Sequence, residues 1–229
     1  MRPSDRARLM LLVSVVVTVV LYQVPAGRYL VIPLMLLSTL AHELGHGVTA
    51  ILVGGSFERF EMWSDGSGVA VWGGSGGRLE LALVAAGGLV GPALVAALAF
   101  SIGRTARGAR GGLLVAALFL ALALVLVVRN VFGGFFVLAI FVLCLGVGLR
   151  ASDEVAQLVL VFLAVQLALS VFSRGDYLFT REAETAQGTM LSDVGQMASA
   201  LFLPYWFWGA VCGLFSVVVL VLGLRTYWR

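Results

Sequence analysis

The sequence predicts an all-α polytopic membrane protein with six to seven transmembrane helices and a small membrane-associated β-hairpin after the second. Three observations predict this class. Apolar residues (AVILMFWYC) make up 61% of the 229 residues, with a mean hydropathy of +1.04. Charged residues make up 12%, against roughly 25% in an ordinary soluble domain, so a soluble globule could not clothe that apolar surface. The apolar residues also fall in long continuous runs, and in lipid only helices or closed barrels satisfy their own backbone. A soluble enzyme, a disordered chain and a disulfide-rich secreted domain are excluded.

The runs lie at 8–24, 30–53, 79–102, 112–128, 131–149, 155–173 and 201–224. Several approach the roughly 20 residues a bilayer span needs. Only Arg129 and Asn130 separate the fourth run from the fifth, which reads as two helices joined by a tight turn. The first run follows Arg2, Arg6 and Arg8, as in a signal peptide. No small-residue cleavage site follows it, so it reads as a retained helix; if it lies in the interface, six spans remain. All 15 basic residues are Arg, and most flank apolar runs, where they mark membrane boundaries. A net charge of +3 gives no footprint for nucleic acid, and the bilayer is the evident partner. Cys144 and Cys212 lie within apolar runs and read as reduced core residues.

Residues 1–229 read as a single transmembrane domain with two long connections. In the first, 54–78, two segments rich in aromatic and β-branched residues flank Ser64-Asp65-Gly66-Ser67-Gly68, which is a hairpin signal. The second, 174–200, is the longest polar stretch. Seven spans put the N-terminus and the connections 54–78, 129–130 and 174–200 on one side. Arg2, Arg6 and Arg8 then argue that this side is cytoplasmic. In the third apolar run, Gly87 and Gly91 form a G-x-x-x-G that lets helices approach closely. Packing against the second helix is expected, with a homodimer face as the alternative.

The second run carries the chemistry. His42 and His46 are the only two histidines and stand at i and i+4, so they project from one helix face, one turn apart. That spacing lets two imidazoles reach one tetrahedral Zn²⁺, and Glu43 beside the first can accept a proton from water, the His-Glu-x-x-His pattern of zinc metalloproteases. Three ionisable side chains in an apolar span each cost about 2.5 kcal/mol or more at mid-membrane, so packing is a poor reason for them.

Two imidazoles hold zinc poorly, and with no further His a carboxylate is needed. Asp176, at the end of the sixth run, is the expected third ligand. A carboxylate at a helix C-terminus meets the negative end of the dipole and calls for a nearby cation. Asp193 is the alternative ligand, but Asp193 with Gln196 three residues on also reads as a helix N-cap. Glu182 and Glu184 read as solvated.

The string His42-Glu43-Leu44-Gly45-His46-Gly47 resembles the site-2 protease family of intramembrane zinc metalloproteases. Gly54-Gly55 with the hairpin to Trp72, and the small-residue segment Ala85–Pro92, are similar to its compact bacterial branch. The family's Leu-Asp-Gly and Asn-Pro-Asp-Gly strings are absent. The resemblance implies one Zn²⁺ per chain, a transmembrane protein substrate and a bacterial plasma membrane, with the active site nearer the cytoplasmic side. It also implies that Asn130 stands near the metal to steady a substrate oxyanion; a plain turn residue is the competing reading. The hairpin would present an edge to an extended substrate, with Phe60, Met62, Val69 and Val71 as substrate-binding candidates. The rival functions are a membrane metal-binding or transport protein without proteolysis, and an inactive relative that acts as an interaction module.

Overall fold

The computed structural model describes residues 3–23, 28–173, 177–185 and 188–229. Its elements are α1 (Pro3–Gln23), α2 (Arg28–Leu52), β1 (Ser56–Met62), β2 (Gly68–Gly73), α3 (Arg78–Gly103), α4 (Ala106–Leu126), α5 (Val131–Arg150) and α6 (Asp153–Ser173). A 3-10 turn (Tyr177–Phe179), β3 (Glu182–Thr185), β4 (Gly188–Leu191), α7 (Asp193–Leu201) and α8 (Tyr205–Trp228) complete the chain. Six helices are long and apolar enough to cross a membrane: α2 to α6 and α8. They make this an integral membrane protein. The apolar stretch of α1, Ala7–Leu21, is shorter, which gives the six-span form of the expected fold.

The α3 helix is central and touches α2, α6, α7 and α8. Its contact with α2 is backbone on backbone. A Cβ at Gly45 would lie 2.4 Å from the Gly87 carbonyl oxygen, and one at Gly91 would lie 2.9 Å from that of Ala41. The Gly87…Gly91 spacing therefore serves packing within the chain, against the histidine-bearing helix. Where the sequence places charge and turn residues, side chains close the helix ends. Thr105 accepts from Gly108 N–H at the start of α4. The Arg110 guanidinium donates to the Gly148 and Ala151 carbonyls and pairs with Asp153 at 2.9 Å, tying the α5–α6 turn to α4. Arg129 donates to the carbonyls of Val125, Leu126 and Val128 that end α4.

The predicted hairpin forms, with β1 and β2 antiparallel. It lies along α2, with its Phe57 ring against Gly47 and its tip, Gly66, against Met35. The polar connection 174–200 is more structured than expected. It holds the 3-10 turn, a second antiparallel hairpin (β3–β4) and α7.

The N-terminal placement expected from seven spans does not hold. Ala97 and Phe100 of α3 meet Gly223 and Tyr227 of α8, so the two helices run in parallel away from the first hairpin. At that far end Tyr227 O–H donates to the Ala7 carbonyl. The start of α1 thus sits opposite the hairpin end. With six spans, α2 begins at the same far end and no conflict arises.

Candidate metal centre

The α2 helix presents His42 and His46 on the face that meets α3 and α7. The close approach of α2 and α3 fixes His46: its Nδ1 lies 2.8 Å from the Val84 carbonyl oxygen. A carbonyl only accepts, so Nδ1 carries the proton and Nε2 of the neutral ring presents a lone pair. A Cβ at Gly88 would lie 2.2 Å from that imidazole, so Gly88 is the space into which the ring fits.

The Nε2 atoms of His42 and His46 are 3.2 Å apart. Asp193 closes the group, with Oδ2 3.1 Å from His42 Nε2 and Oδ1 3.4 Å from His46 Nε2. Asp193 is 4% exposed, and its Oδ2 has no hydrogen-bond partner. Burial opposes its ionisation, and the attraction and hydrogen bonding of His46 and His42 outweigh that, holding the carboxyl below the usual carboxylate range. Lone-pair atoms that converge in a buried place call for a cation. A tetrahedral ion with bonds of about 2.0–2.1 Å spaces its ligands about 3.3–3.4 Å apart, close to the separations seen. His42, His46 and Asp193 therefore fit a metal ion.

Asp193 is free for this because it is not the N-cap. That role falls to Ser192, whose hydroxyl accepts from Gly195 N–H and donates to the Thr180 and Arg181 carbonyls. Asp193 opens the first turn of α7, where the helix dipole favours a carboxylate. Asp176, the preferred ligand from the sequence, lies outside the described residues. Among those described, the alternative, Asp193, is the carboxylate that joins the two imidazoles.

Glu43 is 7% exposed and stands beside the group without belonging to it. Its side chain is held by the start of β2, where a Cβ at Gly68 would lie 2.7 Å from Glu43 Cγ and 2.7 Å from Thr39 Cγ2. With His42 it lines a cavity of about 540 Å³ that also reaches Gly66, Ser67, Tyr177 and Ser216. The Tyr177 ring meets His42 edge-on at 6.1 Å. Neither Val84, Gly88 nor Tyr177 stood out in the sequence; the pair Gly87-Gly88 in a helix was the one available signal.

The remaining expectations are corrected. The Asn130 side chain does not face the metal group. Its Nδ2 donates to the Met62 carbonyl at 2.7 Å, while Oδ1 accepts from Met62 N–H at 3.3 Å and from Gly133 N–H at 3.2 Å, capping α5. The amide is consumed in joining α5 to β1, so the turn reading holds. Phe60 and Met62 are 0% exposed and belong to the core. Their strand edge is also taken, since Phe60 N–H donates to the Val127 carbonyl and Arg129 N–H to that of Phe60. The open edge is on β2. Gly68 and Ala70 stand opposite Met62 and Phe60, so their own N–H and C=O groups point away from β1, and none of these has a hydrogen bond among the described residues. Val69 and Val71 are half-buried on this strand, pairing with Glu61 and Arg59.

No curated protein and no solved structure matches the chain significantly. The family model described as Peptidase M50B-like matches residues 10–223. With nearly its whole length matched, the chain belongs to this membrane-metalloprotease-type family, the site-2 protease family that its His-Glu-x-x-His helix resembles.

Proposed function

We propose that this protein is an intramembrane zinc metalloendopeptidase acting on transmembrane protein substrates, with one Zn²⁺ per chain held by His42, His46 and Asp193. The observation that carries the reading is the convergence of these three side chains with Glu43 on the wall of the same cavity. Zn²⁺ in that group would supply a Lewis acid for amide hydrolysis. Glu43 accepts the proton of the attacking water and returns it to the leaving nitrogen. Val84 and Gly88 hold His46 in the tautomer and position that ligation needs. A metal-binding or transport role would have no use for a carboxylate buried beside the ligands, and nothing observed favours it.

A peptide bond must leave its helix before it can be attacked, and its freed backbone groups then need partners in a place without bulk water. The open edge of β2 at Gly68 and Ala70 supplies them, next to Glu43. Ala70→Pro removes the outward N–H. It should lower cleavage by about tenfold, the worth of one hydrogen bond, with zinc content unchanged. Undiminished turnover would remove this role from the hairpin.

The test of the function is direct. Purified protein in vesicles should contain one zinc per chain and cleave a model single-span substrate. Chelation should stop cleavage, and zinc should restore it. Zinc-loaded protein that leaves every such substrate intact would sink the protease reading.

Orientation is a separate proposal, and the structure changes its basis. Arg6, Arg8, Arg28, Arg104, Arg107, Arg110, Arg150, Arg225 and Arg229 belong to the end away from the site, while Arg59, Arg78, Arg129 and Arg181 belong to the site's end. Arginine concentrates on the cytoplasmic side, which supports a site opening away from the cytoplasm, the reverse of the expectation from seven spans. A fluorescent-protein fusion after Arg229 should then fluoresce, and an alkaline phosphatase fusion there should be inactive. The opposite pair of results restores the cytoplasmic site.

A further inference from the structure

Two hydroxyls on the cavity wall have no part in the mechanism above. Ser38 lies on α2, one turn before His42, and is 3% exposed; Ser216 lies on α8 and is 1% exposed. Both line the cavity together with His42 and Glu43. Neither has a hydrogen-bond partner among the described residues. A helical serine in an apolar span ordinarily returns its hydroxyl to the carbonyl four residues back, as Ser14 and Ser101 do here. The other hydroxyls of the cavity are engaged: Thr39 donates to the Gly66 carbonyl, and Ser170 to that of Leu167. Ser38 and Ser216 are thus buried polar groups inside membrane spans, reaching only the cavity, while Met35, Leu89, Pro92 and Val171 make much of the remaining wall apolar.

An unpaired hydroxyl is costly at this depth unless water or a ligand pairs with it. An apolar side chain entering the cavity would displace that water and leave both hydroxyls bare. A side chain with its own donor and acceptor would replace the lost bonds. A site built around polar groups discriminates in this way against analogues that lack the matching group.

We propose that Ser38 and Ser216 form a specificity subsite that takes a small hydrogen-bonding side chain, that of Ser, Thr or Asn, from the unwound segment of the substrate. This rests on the protease reading and adds the class of residue the substrate must carry there.

The test separates the two. Glu43→Gln protein is titrated in bicelles with single-span Leu/Ala-rich peptides that differ only in one central residue: Ser, Asn or Ala. The Ser and Asn peptides should bind about tenfold tighter than the Ala peptide, the equivalent of one net hydrogen bond. In the Ser38→Ala, Ser216→Ala double variant, that ratio should fall to within about twofold while zinc content and affinity for the Ala peptide hold. Absence of any preference in protein with both serines intact overturns the proposal without reference to the double variant. A preference that survives the loss of both hydroxyls overturns it equally. Failure of the protease reading shows elsewhere, as wild-type protein that cleaves none of the peptides.

Discussion

Asp193→Asn should strip the protein of its zinc. The substitution keeps the shape of the side chain and leaves the Ser192 cap in place, so α7 should still form. The variant loses the charge and one of the three atoms that converge on the site. Outer-shell changes around a metal already cost about 10–100-fold in affinity, and loss of a direct ligand should exceed that range. Without metal, an Asn amide can donate to the imidazole lone pairs, so thermal stability of the metal-free protein should move little. The measurement is zinc content after dialysis against a graded chelator, with Asp176→Asn in parallel. Full occupancy in Asp193→Asn together with loss in Asp176→Asn would return the third ligand to the residue the sequence favoured.

The sequence carried the local half of this site and lost the long-range half. His42, Glu43 and His46 are legible because helical periodicity alone puts the imidazoles on one face. The first hairpin is legible because its turn residues allow little else. The third ligand depends on which residue caps α7. Ser192 and Asp193 are both good capping types, and the choice is made by the Thr180 and Arg181 carbonyls, which engage the serine hydroxyl. Sequence spacing contains no such information. Asn130 fails for the same reason, since its partner Met62 is 68 residues away. Phe60 and Met62 fit an alternating strand equally well with their face toward a substrate or toward the core, and the α4–α5 turn, packing on the β1 edge, decides for the core. Span number was ambiguous because α1 is apolar over a length at the margin of a span. The position of its start beside Tyr227 appears in no local pattern.

Glu43→Gln should abolish cleavage while leaving zinc bound, and this pairing separates an enzyme from a metal-binding protein. Glutamine has the volume of glutamate, so it should fit between α2 and the start of β2, where Gly68 leaves space for Glu43 and no more. It cannot accept the proton of the attacking water. Loss of a general base costs about 10²–10⁴ in rate, and no other carboxylate joins His42 and Glu43 on the inner wall of the cavity; Asp65, at the hairpin tip, is exposed and already accepts from Ser67. Zinc should stay, because Glu43 is not among the three side chains that converge. Stability should hold or rise, since the change removes a charge buried in a membrane span. Three measurements on one preparation decide the matter: zinc per chain, melting temperature, and turnover of a single-span substrate. Turnover within tenfold of wild type would exclude Glu43 as the base. Loss of zinc with turnover would make it a ligand, and the catalytic proton would then have to be carried by another group in the cavity.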